Sequence, residues 1–145
     1  MAIDVASGFR LEWPITEDLV TLRAAVRAFG TGAGLADRRL TDLVIAASEA
    51  AAKVLEHGGH GFLIAWSDPG GVSLEIVDAT GVLTMAYLTV DPDPDPDPLA
   101  GRGVAFWLMR QLCDEISLDG SDGITRLHLR FHYRVRRNGD RRLPV

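Results

Sequence analysis

Residues 40–58, LTDLVIAASEAAAKVLEHG, decide how the chain is read. Leu40, Leu43, Val44, Ala47, Ala51, Val54 and Leu55 recur at helical spacing and define one face of a helix about five turns long. At ~100° per residue, Asp42, Glu49, Lys53 and Glu56 fall on the opposite side. That side is expected to be solvated, with Glu49 and Lys53 one turn apart and able to pair. Taken alone, such a pair is a surface feature contributing about 0.3 kcal/mol. Asp37 is placed to cap the helix, and Gly58-Gly59 to end it in the left-handed conformation that glycine tolerates.

Before this helix, Phe9, Leu11 and Trp13 alternate with Arg10 and Glu12, which predicts a short edge strand stopped by Pro14. Thr16 is a candidate cap for a first helix with Glu17 and Asp18 in its first turn. Leu19, Leu22, Val26 and Phe29 form its stripe, and Gly30, Gly32 and Gly34 form its end. After the central helix the period changes to two. Phe62, Ile64 and Trp66 alternate, Asp68-Pro69-Gly70-Gly71 turns, and Val72, Leu74 and Ile76 alternate again, which predicts a hairpin.

Residues 81–90 are apolar without a clear period, and residues 91–98 read DPDPDPDP. Proline at every second position forbids both helix and ladder pairing, so this segment is expected to be an extended loop. Gly101-Arg102-Gly103 opens a third helix, in which Val104, Leu108, Leu112 and Ile116 recur at intervals of four. Ser117 to Gly123 reads as a turn, and Leu127, Leu129, Phe131 and Tyr133 alternate in a last strand. This order predicts an α+β two-layer sandwich: a mixed, mostly antiparallel sheet with helices on one face.

With 145 residues, of which 47% are hydrophobic, the chain suits one domain, expected over residues 1–133. Residues 134–145 read as a basic tail carrying Arg134, Arg136, Arg137, Arg141 and Arg142. A net charge of −5 argues against nucleic-acid binding, which needs a cationic footprint. The single cysteine, Cys113, excludes an internal disulfide and reads as a packed thiol. No stretch has the ~18 consecutive apolar residues of a membrane span and no leader is evident, so a cytoplasmic protein is expected. His57 and His60 read as residues beside the negative end of a helix rather than as metal ligands, and no metal site is expected.

Three segments bear on chemistry: Ser48-Glu49-Ala50 with Lys53 and Glu56-His57-Gly58; Ile76-Val77-Asp78-Ala79-Thr80-Gly81; and Gly101-Arg102-Gly103-Val104-Ala105. In this order and spacing they resemble the GHKL, or histidine kinase-like, ATPase superfamily shared by gyrase, heat-shock chaperone, histidine kinase and mismatch-repair ATPases. Within it they are most similar to the anti-sigma-factor serine kinase branch. The resemblance implies Glu49 as general base, Asp78 as acceptor for the adenine amino group, and Thr125 as a hydroxyl contact near the base. It also implies Gly81, Gly101, Arg102 and Gly103 in the nucleotide site, where amides at a helix N-terminus suit phosphate. Residues 91–98 would lie in the ATP lid. ATP is the implied ligand. The implied partners are a sigma factor or the small STAS-type anti-anti-sigma proteins, and a homodimer is a further expectation of the branch.

The chain departs from this pattern at two places. Lys53 stands where the family has the Asn that holds Mg²⁺, and an ammonium has no lone pair for a cation. Thr80 stands where a glycine lets the backbone approach the nucleotide. Two readings follow from Lys53. It either contacts phosphate itself, giving a metal-independent nucleotide binder, or it pairs with Glu49 and closes the catalytic position, giving a pseudo-ATPase that acts by binding protein. An active serine kinase acting on an anti-anti-sigma factor is the competing enzyme reading.

Overall fold

The computed structural model describes residues 10–56, 58–80 and 102–133, with only the backbone of residues 102–106. Phe9, His57, Gly81, Gly101, the Asp-Pro segment and the arginine tail lie outside the described residues. The elements are β1 (Arg10–Ile15), α1 (Leu19–Ala33), α2 (Asp37–Glu56), β2 (Gly61–Asp68), β3 (Gly71–Asp78), α3 (Arg102–Leu112), β4 (Glu115–Ser121) and β5 (Ile124–His132). The strands form a sheet in the order β1-β2-β3-β5-β4, with every neighbouring pair antiparallel.

Strand alternation sorts the two faces of this sheet. Leu11, Leu63, Leu74, Ile76, Leu127 and Leu129 are inaccessible to solvent and share one core with Leu22, Val26, Leu43, Ala47, Ala51, Val54 and Met109 of the helices. The other face carries Phe62, which is partly exposed, and Trp66, whose ring stacks parallel on His128 with centroids 5.7 Å apart. The α+β sandwich with helices on one face is therefore the fold, and α2 is the middle helix, packed on α1, α3 and β3.

That central position corrects the reading of α2. Its apolar face is buried as expected, but Asp42 and Lys53 on the supposed solvent side are buried as well, Lys53 to 4% exposure. A helix flanked on both sides has no wholly solvated face. Gly30 of α1 explains how closely these helices approach, since a Cβ there would lie 2.7 Å from Leu40 Cδ1 and 2.8 Å from Leu43 Cδ2.

Several boundaries also differ from expectation. β1 runs through Pro14 to Ile15, which an edge strand tolerates because a ladder bond is needed on only one side. Asp18, not Thr16, caps α1: its Oδ1 accepts the Thr21 amide at 3.0 Å, while Thr16 Oγ1 accepts the amide of Asp18. The Thr21 hydroxyl, which donates to Asp18 Oδ2 at 2.6 Å, and then the Thr21 amide hold the Asp18 carboxyl below its usual range. The helix continues through Gly30 and Gly32 and stops at the left-handed Gly34. α3 ends at Leu112, and Ile116 belongs to β4, a strand that sequence periodicity folded into the helix and the following turn. The turn itself is Asp122-Gly123, both at positive φ, as a two-residue hairpin requires.

Candidate functional site

The ladder brings Gly61, Asp78, Thr125 and Gly120 into one row across four strands. Asp78 is two residues beyond Ile76, so this row lies on the helix-covered face, at one end of the sheet. Asp78 is 0% exposed and Thr125, its direct partner in the ladder, 6%. Gly61 is obligatory, because a Cβ there would sit 1.8 Å from Val77 O. At Gly120 a Cβ would meet nothing nearer than Ile124 O at 3.7 Å and Thr125 Oγ1 at 3.9 Å, which leaves space beside the Thr125 hydroxyl.

A fully buried carboxylate is costly unless hydrogen-bonded. Thr80 answers that need twice: its amide and its hydroxyl both donate to Asp78 Oδ1, at 3.0 and 2.6 Å. Thr80 Oγ1 in turn lies over Gly59, where a Cβ would be 2.7 Å away. Gly59 N donates to Val54 O at 2.9 Å and Ala79 N to His60 O at 2.9 Å, so the end of α2 and the end of β3 are joined side by side. Gly58, at φ 72, ends α2 in the expected left-handed manner.

On α2, Lys53 Nζ donates to Glu56 Oε1 at 3.2 Å. Among the described residues no hydrogen bond or ion pair joins Lys53 to Glu49, which is half-buried. The Lys53–Glu56 pair runs one turn towards the C-terminus, on a long side chain that reaches an exposed carboxylate. Ser48, beside Glu49, accepts from Arg23 of α1 at 3.1 Å. Arg102 and Gly103 are the first two residues of α3, as a Gly-Arg-Gly opening of a helix predicts.

Of the sequence-predicted site residues, the structure brings Asp78 and Thr125 face to face and adds Thr80. Gly59, Gly61 and Gly120 were not singled out as site residues. The glycines at 58, 59 and 61 are the available signal for the first two, although Gly58-Gly59 reads from sequence only as a helix end. Cys113 contributes no nucleophile: burial, with the Asp114 carboxylate beside it, pushes its thiol up to about 12.

The carboxyl oxygens of Asp78 can accept from a ligand that presents an N–H donor, as a purine amino group does. The site does not suit Mg²⁺ at the position the resemblance gives to the metal-holding amide, where Lys53 offers no lone pair. Residues 13–131 match the histidine kinase-like ATPase domain family. The chain belongs to that family. Among solved structures, this histidine kinase-like ATPase domain is similar to the RsbU and RsbW domains of Rv1364c from Mycobacterium tuberculosis. The TM-score is 0.60 and the identity 20%, over 84% of this chain and 32% of that one. At that identity the likeness is one of fold, and the chain spans about a third of the length of the protein it matches. The search of curated proteins gives no match. Membership in an ATPase domain family implies a nucleotide site. Among the described residues no helix is long and apolar enough to cross a membrane.

Proposed function

We propose that this protein is an anti-sigma-type regulator that works by partner switching on an ATP-binding fold, with Mg-dependent phosphoryl transfer weakened or lost. The observation that carries the reading is Lys53. It is buried on α2, at the position resembling the family's magnesium-holding asparagine, and brings a positive charge in place of an oxygen donor. ATP is then recognised through Asp78 and Thr125, with Gly81, Gly101, Arg102 and Gly103 on the phosphate side. The partner is a sigma factor or a STAS-type anti-anti-sigma protein, and residues 1–133 act as one domain in a cytoplasmic, homodimeric regulator. The two-domain RsbU–RsbW protein of similar fold supports this branch of the family over the others.

Calorimetry with ATP, with and without Mg²⁺, tests the reading. The expected result is submillimolar binding that Mg²⁺ does not strengthen, Mg-dependence appearing in Lys53→Asn, and no phosphate transfer from the wild type to a STAS-type partner. Strong Mg-dependence in the wild type would sink it. One observation favours a second reading, an active serine kinase: the described ion pair of Lys53 is with Glu56 and not with Glu49, the residue the resemblance gives as general base. Phosphorylation of a STAS-type partner, lost in Glu49→Gln, would decide for that reading.

A further inference from the structure

Arg39 lies in the first turn of α2, where the helix dipole disfavours a positive charge. Its guanidinium reaches the end of another helix. Nη1 donates to the carbonyl of Leu112, the last residue of α3, at 3.3 Å, and Nε donates to the carbonyl of His132, the last residue of β5, at 3.4 Å. Nη2 pairs with Asp114 Oδ2, Nη1 also meets Asp42 Oδ2 at 3.4 Å, and the guanidinium carbon stands 5.7 Å from the centroid of the Phe131 ring. Asp114 completes the joint, accepting the amide of His132 at 2.8 Å and giving its own amide to Arg130 O at 2.7 Å. Only 12% of the Arg39 side chain and 11% of the Asp114 side chain are exposed, and shielding from water strengthens each bond. A cation on an orphan carbonyl at a helix C-terminus is favourable, so Arg39 serves α3 at the expense of α2.

We propose that Arg39 is a positioning residue for the phosphate side of the nucleotide site, acting through α3; the proposal rests on the nucleotide reading above. α3 packs chiefly on α2 and is seated in the core by Met109. At ~1.5 Å per residue, Leu112 lies about 4.5 Å along the helix from that seat and Arg102 about 10 Å in the other direction. A tilt that moves the anchored end by about 1 Å therefore moves the N-terminal turn by about 2 Å. That turn carries amides proposed above to meet phosphate, and a hydrogen bond does not survive such a shift. Asp78 and Thr125, on the base side, stand on β3 and β5, strands paired along both edges, and do not share the lever.

The test measures ATP affinity by calorimetry without Mg²⁺, adenosine affinity by competition with ATP, and amide hydrogen exchange in the same proteins. Lysine keeps the charge of Arg39 but, with one nitrogen in place of the fork, cannot hold Leu112 O, His132 O and Asp114 together. Arg39→Lys should lower ATP affinity by about tenfold and adenosine affinity by less than about twofold. Exchange in α3 should rise by more than about tenfold while exchange in β2 and β3 is unchanged. Asp42→Asn, which leaves the bonds to Leu112 and His132 in place, should alter the ratio of the two affinities by less than about twofold, and Asp114→Asn should lower it by about threefold. Equal losses for ATP and adenosine, no loss, a wild type that binds both alike, an effect of Asp42→Asn as large as that of Arg39→Lys, or exchange rising throughout the sheet would make Arg39 a purely structural residue and overturn the positioning role. If Arg39→Lys does not fold, an unchanged affinity ratio in Asp114→Asn overturns it. A wild type that binds neither ligand up to several millimolar would overturn the nucleotide reading itself, and this inference with it.

Discussion

The hairpin of β2 and β3 carries an aspartate at each end, Asp68 and Asp78, and their local chemistry starts out alike. Each faces a glycine across the ladder, Gly71 and Gly61 respectively. Each accepts the amide two residues ahead, from Gly70 at 2.8 Å and from Thr80 at 3.0 Å. The surroundings then diverge. Asp68 belongs to the outer face, 41% exposed, and is gripped by two bonds from Arg130 at 2.8 and 2.7 Å, which hold its carboxyl down at about 2. Asp78 belongs to the helix-covered face, is fully buried, and takes its second described bond from a threonine hydroxyl. The same Asp-led turn becomes an exposed structural clamp at one end and a buried carboxylate among the site residues, proposed above for base recognition, at the other. Strand parity decides which, because it selects the face on which each carboxylate emerges.

The strongest way to break this comparison is through the glycines that both aspartates face. Gly61→Ala and Gly71→Ala would place a Cβ 1.8 Å from Val77 O and 2.2 Å from Phe131 O, so backbone must move in either case. Both should lose about 3 kcal/mol in urea unfolding, because this constraint belongs to the ladder and not to either site. A much smaller cost at one of them would show that the two ends are built differently. The aspartates themselves should separate next. Asp78→Asn should weaken ATP binding by about 2 kcal/mol, roughly thirtyfold, whereas Asp68→Asn should leave binding unchanged in the same calorimetric titration.

The smallest effect sharpens the clamp. Asp68→Asn should cost about 1 kcal/mol of stability at neutral pH, the upper end for a partly exposed ion pair. Its carboxyl is held at about 2 against an ordinary 3.8, so the unfolded chain takes up the proton first as pH falls. The stabilisation is therefore complete above about pH 4 and lost on the way to about pH 2. Acid unfolding of the variant should be shallower than that of the wild type over that interval, and equal slopes would exclude Arg130 as the clamp.

Much of this was legible in the chain. Helical recurrence placed Leu43, Val44, Ala47, Ala51 and Val54 in the core, and Asp-Pro-Gly-Gly fixed the hairpin turn, because both signals are local. The burial of Lys53 was not legible. A helical wheel assumes one buried side, and only the tertiary position of α2 between α1 and α3 covers the second. β4 was hidden because Leu112 and Ile116 are four apart, a helical interval, although Ile116 and Leu118 already alternate as a strand. In the site, the motif picked out Asp78, while the parts of Gly59, Gly61 and Gly120 depend on the register between strands, which residue types alone do not reveal.

Pro14 on β1 has a consequence for how this sheet can grow. It has no N–H to offer, so an added strand laid along that margin would meet a gap in its ladder. The other margin, β4, resists self-pairing by a different route. Two copies aligned antiparallel about Ser117 would set Glu115 opposite Asp119, twice, and like charges directly opposed across a ladder repel. In that register the charges of β4, and on the other margin the missing N–H of Pro14, disfavour edge-to-edge pairing of the described sheet.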